Sequence, residues 1–247
     1  MARADRGDKL ICRVKTLKEI PTKKEVTVGN ARAIEATRKL TRPGGPVDYG
    51  PVLSRLLVRV MRELAQGRPV PRERVDEIVA EMGIARDEAY RLLEGVAERD
   101  TDENIFGIMG LSLNDTPHRF YVNGAQMSAW CAEDTLFLPA VLGRSATVES
   151  VSPVSGKRVR LTVSPQGVEE VDPTGAVVSV VIVDPDNPDM GSVEAIWGAY
   201  CHHTFFFASR QEAERWAAGR DDIEILSVGE AYELGQQLSS RFLAYGV

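Results

Sequence analysis

The stretch AWCAEDTLFLP, residues 129–139, separates a half of the chain with helical patterns from a half with strand patterns. Its apolar character predicts a buried helix that Pro139 bends or interrupts. Downstream of Gly143, short runs of β-branched residues alternate with turn residues, which is typical of strands. Helices followed by strands indicate the α+β class. We expect a three-helix, winged-helix-like N-terminal domain, followed by a C-terminal domain built on a mixed or antiparallel β-sheet with flanking helices.

The segment upstream of this stretch has the pattern of a helix-turn-helix motif. Apolar residues recur at helical spacing over 51–67, a second short helix follows, and residues 84–96 form the third helix. Two strand patterns, 105–113 and 118–122, flank a run of turn residues and predict a hairpin, or wing. Together these elements define a domain over 47–123.

Two more hairpins are predicted beyond the central stretch. Residues 147–151 and 158–163 flank a Ser-Gly-Lys turn, and residues 168–171 and 177–183 flank an Asp-Pro-Thr-Gly turn. These strands contribute the sheet of a second domain, which extends over 124–247.

The last quarter of the chain alternates loop, strand and helix signals. Residues 184–191, rich in proline and aspartate, predict a loop, and residues 203–208 predict a strongly apolar strand. At least one helical turn is expected within 192–200. Ser209 and Ser227 each precede a glutamate by three residues, and this capping-box spacing predicts that a helix starts at each serine.

Charge is distributed unevenly along the chain. Residues 1–45 contain 12 Lys or Arg against 5 Asp or Glu, although the whole chain has a net charge of −6. A basic segment of this kind suits contact with nucleic acid or an acidic partner, and equally a solvated or partly ordered extension. The sequence RPGGP at 42–46 breaks any helix. We therefore define residues 1–46 as a basic extension and linker.

The composition excludes several classes of protein. A chain of 247 residues that is 43% hydrophobic and 27% charged can bury a sizeable core and differs from a disordered chain. No apolar run approaches the roughly 18 residues of a membrane span, and the N-terminal residues lack the apolar core of a secretory signal. Three cysteines are an odd number, which does not close a disulfide framework. We expect a cytoplasmic protein with reduced thiols and no membrane partner.

The three cysteines differ in their surroundings. Cys12 lies in the basic segment, where nothing nearby indicates a role, and we interpret it as a free surface thiol. Cys131 and Asp134 are three residues apart on the predicted helix, which places both side chains on one face, where a thiol and a carboxyl group exchange a proton. Cys201 begins the segment CHHTFFF, at the entry to the predicted strand. Each cysteine is also compatible with a small buried core residue.

Several kinds of cysteine site can be compared with this pattern. A cysteine hydrolase needs a Cys–His pair, and on a strand His202 and His203 point to opposite faces, so at most one of them joins Cys201. A zinc site commonly has four donors with CxxC or HxxxH spacing, and the sequence has neither. Thiolates without such spacing suit a soft metal ion of low coordination number, such as mercury(II).

Several segments of the chain resemble one known family. Residues 129–144, AWCAEDTLFLPAVLGR, are similar to the signature segment of the organomercurial (alkylmercury) lyases. The resemblance resumes at 161–165, LTVSP, and at 201–209, CHHTFFFAS, and extends more loosely back through 62–70. It covers about residues 50–245 and leaves the basic segment unmatched. The cysteine segments are specific because order, spacing and neighbours all agree.

The resemblance implies a catalytic trio. Members of the family cleave carbon–mercury bonds by protonolysis, giving a hydrocarbon and Hg(II), as part of mercury detoxification and resistance. The matching positions are Cys131, Asp134 and Cys201, which the resemblance also implies as the residues that bind substrate and product mercury. It implies no organic cofactor and no structural metal. Release of Hg(II) is expected to need low-molecular-weight thiols, with a mercuric reductase as the acceptor.

Some positions around the trio carry weaker expectations. Trp130 and Phe137 are candidates for lining an apolar substrate pocket, with core packing as the alternative, and His202 is a further candidate. Ser152 stands where many members have a structural cysteine, which implies lower stability. His202 also stands where some members have a second cysteine, so the chain lacks an auxiliary metal-transfer thiol there.

Two other functions are compatible with the sequence. A helix-turn-helix transcriptional regulator is one, but helix 84–96 carries three acidic residues beside Arg86 and Arg91, which repel phosphate about as much as the arginines attract it. We therefore expect no nucleic-acid partner. The other is a soft-metal-binding protein without turnover.

Overall fold

Helices and two antiparallel sheets make up the part of the chain that the structure describes. The structure, a computed structural model, describes residues 28–182, 184 and 192–246. The helices are α1 (Val28–Thr41), α2 (Gly50–Leu64), α3 (Arg72–Glu81), α4 (Arg86–Glu94), α5 (Asp134–Leu142), α6 (Val193–Ala199), α7 (Arg210–Ala217) and α8 (Val228–Leu243). The strands are β1 (Ala97–Arg99), β2 (Ile105–Ile108), β3 (Leu111–Ser112), β4 (His118–Val122), β5 (Ala125–Ala129), β6 (Ala146–Val151), β7 (Arg158–Ser164), β8 (Gly167–Asp172), β9 (Val177–Val181), β10 (Phe206–Phe207) and β11 (Ile223–Ser227). The predicted α+β class is confirmed.

Helices α2, α3 and α4 confirm the three helices predicted upstream. Leu56, Leu57 and Met61 on α2 are inaccessible to solvent, and Ile78 and Leu93 from the next two helices join the same core. Burial of each such side chain contributes about 1.5–3 kcal/mol, which is why the apolar spacing predicts these helices well. Among the described residues, no helix combines the length and the apolar character needed to cross a bilayer.

The larger sheet has eight strands in the order β1-β2-β3-β5-β4-β6-β7-β8. The hairpin predicted over 147–163 is confirmed as β6–β7, with Thr147 opposite Thr162. The predicted wing hairpin is wrong, because β4 pairs with β5 through the turn Asn123-Gly124. Both turn residues have positive φ, which Asn-Gly adopts readily, so this dipeptide favours a two-residue hairpin.

The smaller sheet has the order β10-β9-β11. The predicted hairpin between 168–171 and 177–183 is wrong, because β8 pairs with β7 in the larger sheet and β9 with β10 and β11. Every residue of β9 is buried, and its backbone groups find their hydrogen-bond partners in strands on both edges. Strand β8 exposes Glu169 and Glu170 and suits the edge of a sheet.

The strand predicted over 203–208 is reduced to the two residues of β10. The preceding residues, Cys201–His203, form a 3₁₀ helix instead. The Ser179 hydroxyl donates to the His203 carbonyl at 2.8 Å and accepts the Phe205 N–H at 2.9 Å. This side chain takes the bonds that a longer strand would make with its neighbour. The expectation that the two adjacent histidines point to opposite faces of a strand is therefore wrong.

Both predicted helix starts at serine are confirmed. The Ser209 hydroxyl accepts the Glu212 N–H at 3.3 Å at the start of α7. The Ser227 hydroxyl accepts the Glu230 N–H at 3.2 Å, while the glutamate carboxylate accepts the serine N–H at 2.9 Å, which completes a capping box at the start of α8. Such caps contribute about 1 kcal/mol each.

Part of the predicted basic extension forms helix α1, which packs against α8 and β11. Ala33 is buried in the main core. Arg32 forms an ion pair with Glu224 at 2.7 Å. The domain boundaries remain predictions. Cys12 and, apart from Asp184, the predicted loop over 184–191 lie outside the described residues.

His118 on β4 lies in the core and makes stability depend on pH. Its Nδ1 atom lies 2.8 Å from the Ser150 hydroxyl, and its ring contacts Phe205 and Phe206. Burial lowers the pKa of His118 from 6.5 to about 3. Between these values the unfolded chain binds a proton that the folded protein excludes. Stability therefore falls as the pH falls below about 6.5.

We expect His118→Asn, whose amide retains a partner for Ser150, to remove this part of the pH dependence. The variant is less stable than the wild type at pH 7 because it fills less space. That deficit, measured by urea unfolding, should narrow by up to about 1.4 kcal/mol per pH unit between roughly pH 6.5 and 4. The other titrating groups are the same in both proteins, so their contributions to the pH dependence cancel in the difference between the two free energies of unfolding. A deficit independent of pH would contradict the burial of a neutral imidazole.

Candidate active site

Cys131 lies in a short connection between β5 and α5, so the prediction that it lies on a helix is wrong. The Trp130 N–H donates to the Gly110 carbonyl at 2.9 Å, and the Ala132 N–H donates to the Thr204 carbonyl at 3.1 Å. These bonds tie the connection to two other parts of the chain. The backbone groups are therefore not available for a helix, which begins only after the connection.

Asp134 is the first residue of α5, and its carboxylate turns back toward the preceding connection. Its Oδ2 atom accepts the Cys131 N–H at 2.8 Å. A carboxylate is stabilised at this end of a helix by the free N–H groups and the helix dipole. Pro139 does not interrupt the helix, which continues to Leu142 and ends at Gly143 with a φ of 67°.

Cys201 begins the 3₁₀ helix that follows α6. The Thr204 hydroxyl donates to the Tyr200 carbonyl at 3.1 Å, which closes the turn around this cysteine. The Thr204 carbonyl is also the acceptor for the N–H of Ala132. This bond holds Cys201 beside Cys131, although the two residues are 70 positions apart in the chain.

The side chains of Cys131, Cys201 and Asp134 form one buried cluster. The two Sγ atoms and a carboxylate oxygen lie within 4.8 Å of one another. Their residues are 0%, 3% and 8% exposed, respectively. The structure thus brings together the three site residues that the sequence selects. Two sulfur atoms at this separation can bind one soft metal ion, with a carboxyl group beside it.

Burial controls the protonation of this cluster. It raises the pKa of the Cys131 thiol well above its ordinary value, and the neighbouring thiol and carboxylates add to the shift. A hydrogen bond with Cys131 lowers the pKa of Cys201, but burial and the nearby carboxylates outweigh it and raise the pKa overall. Burial also raises the pKa of Asp134 to about 6. At neutral pH the thiols therefore hold their protons beside a carboxyl group that titrates near neutrality.

Glu133 is a site residue that the sequence reasoning missed. It is buried next to the cluster, and its Oε2 atom has no hydrogen-bond partner among the described residues. Burial, and then the charge of Asp134, raise the pKa of Glu133 to about 8. An acidic residue within an otherwise apolar stretch was the available signal, because a buried glutamate without a partner is uncommon.

An apolar cavity of about 90 Å³ opens beside the cluster. Asp134 and Cys201 form part of its wall, together with Trp130 and Phe137, the two aromatic residues selected as pocket candidates. Helix α1 contributes Ala36, Thr37 and Leu40, and α8 contributes Leu238 and Phe242. The cavity therefore lies between the central stretch and two helices, and it presents hydrocarbon surface to any group bound at the sulfurs.

His202 lies on the other side of Trp130. It is exposed and belongs to a separate cavity of about 480 Å³, whose wall also includes Glu98 and Trp197. The Glu98 carboxylate accepts a hydrogen bond from the Trp130 indole, as well as bonds from Asn114 at 2.8 Å and from Ser112. The described residues that line the cavity beside the thiols do not include His202.

Ser152 has a buried partner of its own. Its hydroxyl donates to the Glu212 carboxylate at 2.9 Å, and both residues are buried. The bond connects the end of β6 in the larger sheet to α7, which packs on the smaller sheet. The serine thus makes a specific contact between the larger sheet and α7, and its effect on stability relative to cysteine remains a prediction.

The chain is similar to known proteins over most of its length. Residues 111–240 match the family model described as alkylmercury lyase. The chain is 40% identical over 185 residues to an alkylmercury lyase of Staphylococcus epidermidis. The aligned residues make up 74% of this chain and 81% of that protein. It is 39% identical over 212 residues to an alkylmercury lyase of Streptomyces lividans. That alignment covers 84% of this chain and 92% of the relative.

A solved structure has the same fold. The crystal structure of the mercury-bound form of MerB2 superposes with a TM-score of 0.65 and 20% sequence identity, covering 87% of this chain and 98% of that one. At this identity the likeness concerns the fold, whereas the two relatives above are 40% and 39% identical to this chain over most of their own length. The chain therefore belongs to the alkylmercury lyase family, a family of carbon–mercury lyases.

Proposed function

We propose that this protein cleaves the carbon–mercury bond of alkyl- and arylmercury(II) compounds by protonolysis, releasing a hydrocarbon and retaining Hg(II) on two thiolates. The observation that carries the proposal is the buried cluster of Cys131, Cys201 and Asp134 at one end of an apolar cavity. The thiols supply two soft ligands for one mercury atom, the carboxyl group accepts and donates a proton, and the cavity accommodates an organic group.

Mercury is captured in the first step. One cysteine forms a sulfur–mercury bond as its proton leaves with the anion X that the organomercurial R–Hg–X carries. The thiolate is the reactive form of cysteine, so proton loss accompanies metallation of these otherwise protonated thiols. The product is an R–Hg–thiolate, and its organic group R lies in the apolar cavity.

The carbon–mercury bond is broken in the second step. The other thiol bonds to mercury and passes its proton to the Asp134 carboxylate. Two thiolates make mercury more electron-rich, which gives the bonded carbon carbanion character. Asp134 then donates the proton to that carbon, so R–H leaves with the electron pair of the broken bond. The balance is R–Hg–X plus two thiols, giving R–H, HX and a mercury bis-thiolate.

Asp134 suits this transfer because its pKa of about 6 lies near neutrality. A carboxyl group with such a pKa can both accept a proton from a thiol and deliver it at neutral pH. Its fixed place beside Cys131, through the 2.8 Å backbone bond, keeps the oxygen close to the sulfurs throughout. The surrounding apolar wall excludes water that would compete for the developing charge.

Release of Hg(II) requires thiols from solution. A mercury bis-thiolate is too stable to dissociate unaided, so low-molecular-weight thiols remove the ion by exchange, and a mercuric reductase is the proposed acceptor. The proposed reaction uses only the chain's own thiols and carboxyl group, without an organic cofactor. Because both cysteines must be reduced, we place the reaction in the cytoplasm.

Phenylmercury acetate with excess thiol provides the test. We expect the wild-type protein to release benzene in many equivalents per chain, measured by gas chromatography and mass spectrometry. In D₂O the benzene should carry a single deuterium at the former mercury position, because the transferred proton derives from exchangeable thiol and carboxyl groups. Denatured protein in the same thiol buffer measures the background reaction.

Two outcomes would contradict the proposal. Stoichiometric mercury capture without benzene would identify a soft-metal-binding protein without turnover. Retention of duplex DNA on a gel at physiological salt, together with no benzene, would support a transcriptional regulator.

The structure argues against DNA binding by α4. Arg86 on this helix forms an ion pair with Asp76 at 2.7 Å, so part of the positive charge of the helix is already neutralised.

A further inference from the structure

The turn between β2 and β3 lies directly against the cluster. Ile108 and Leu111 are paired, so the turn consists of Met109 and Gly110 alone. These two residues have φ values of 46° and 92°, the positive values typical of a two-residue hairpin. Both also form part of the wall of the apolar cavity. The turn is therefore in a position to influence the groups that react there.

Gly110 leaves no room for a side chain on the side that faces Asp134. A Cβ atom at residue 110 would lie 2.6 Å from both the Cγ and the Oδ1 atoms of Asp134 and 3.0 Å from its Cβ atom. Such distances are well inside van der Waals contact. By comparison, a Cβ atom on Gly124, the positive-φ glycine of the β4–β5 hairpin, would have no heavy atom within 4 Å. The bare backbone of the β2–β3 turn packs on the carboxyl group itself.

Hydrogen bonds fix this packing on both sides. The Gly110 carbonyl accepts the Trp130 N–H at 2.9 Å, which ties the turn to the residue before Cys131. The Asp134 Oδ2 atom accepts the Cys131 N–H at 2.8 Å. One carboxylate oxygen is thus held by a hydrogen bond, and the other lies against the turn.

From this arrangement, and resting on the proposed function, we infer that Gly110 is a positioning residue that holds the Asp134 carboxyl group in place for proton transfer to carbon. A side chain at this position pushes the carboxyl group away from Cys131. The bond between the Ala132 N–H and the Thr204 carbonyl, which holds the two cysteines side by side, does not involve this turn, so the thiols can still bind mercury. Mercury capture and carbon–mercury cleavage therefore respond differently to substitution of Gly110.

The test compares Gly110→Ala with Gly124→Ala. Both place a methyl group on a positive-φ residue of a two-residue hairpin, so both carry backbone strain, but only the first meets Asp134. We expect Gly110→Ala to lower kcat for benzene release by roughly 10²-fold, the scale expected for a misplaced reacting group, while still binding one equivalent of phenylmercury. Gly124→Ala should retain kcat within about twofold. Thermal unfolding of both variants measures the strain.

A second measurement does not depend on turnover. The Cys131 amide proton is bonded to Asp134, so its hydrogen exchange, followed by NMR, should be faster in Gly110→Ala and unchanged in Gly124→Ala. If Gly110→Ala does not fold, the pair Gly110→Asn and Gly124→Asn replaces it, because asparagine tolerates positive φ. Equal kcat losses in the two variants of a pair, or unchanged exchange at Cys131, would overturn the inference. Absence of benzene from the wild type would instead contradict the proposed function.

Discussion

Cys131→Ser and Cys201→Ser should each abolish benzene release from phenylmercury, by at least about 10³-fold in kcat. The proposed reaction needs two sulfur–mercury bonds, and the hydroxyl oxygen of serine is a hard, weakly acidic ligand that mercury does not favour. A single remaining thiol can still form an R–Hg–thiolate. Without the second sulfur, however, the carbon does not gain the charge needed to accept a proton.

The control for these two variants is Cys12→Ser, because it changes the same chemical group at a cysteine that the proposed reaction does not use. It should retain the wild-type rate. Cys131 and Cys201 are both buried, so each serine variant must also be shown to fold, by circular dichroism and thermal unfolding. Mercury titration should show loss of the tight bis-thiolate complex in both. A near-normal rate in either variant would contradict the role assigned to that thiol.

Asp134→Asn should separate capture from cleavage. The side chain keeps its shape and an oxygen that can accept the Cys131 N–H, but it has no proton to deliver to carbon. We expect capture of phenylmercury by one thiol to persist, because that step does not use Asp134, and benzene release to fall by at least roughly 10²-fold, the usual scale for loss of a general acid. Single-turnover experiments with phenylmercury measure the cleavage step directly.

Glu133→Gln is the comparison for this result, since Glu133 is the neighbouring buried carboxyl group. Both substitutions replace an acid with an amide of nearly the same shape. A larger loss in Asp134→Asn supports the assignment of the proton donor to Asp134. Equal losses in the two variants would show that the two acids share the role, and a normal rate in Asp134→Asn would remove the carboxyl group from the proposed mechanism.

Local sequence signals predicted much of the fold. The serine caps at Ser209 and Ser227 involve groups only three residues apart, so the spacing alone was sufficient. The helices over residues 51–96 follow from apolar periodicity, because a one-sided apolar surface must be buried. The β6–β7 hairpin likewise joins neighbours in the chain.

Strand pairing over longer distances was predicted less well. The Asn123-Gly124 turn is a local signal for a hairpin, and it explains the β4–β5 pairing in place of the predicted wing. The separation of β8 from β9 has no comparable local signal. It depends on which strands are buried on both faces once the two sheets pack, and that is a property of the whole molecule.

The residue types of the candidate site were present in the sequence, but their arrangement was not. A resemblance over short segments selected Cys131, Asp134 and Cys201, whose chemistry is carried by the side chains themselves. It did not select Glu133, whose unusual feature is the lack of a partner, or Gly110, whose contribution is the absence of a side chain. The place of Glu133 in an apolar stretch is visible in the sequence, but its lack of a partner and the contact of Gly110 with Asp134 depend on neighbours distant in the chain.

The amino-acid sequence by itself determined which groups are available for reaction: two soft thiols, an acid in an apolar stretch, and the family to which the chain belongs. Only the tertiary structure decided that the thiols meet, through the bond between Ala132 and Thr204, and that a bare turn lies against the acid. The physical reason is the separation along the chain of the residues that interact. Caps and helical faces depend on interactions within a few residues, whereas burial, a raised pKa and the approach of two sulfurs depend on packing between segments that are far apart in the chain.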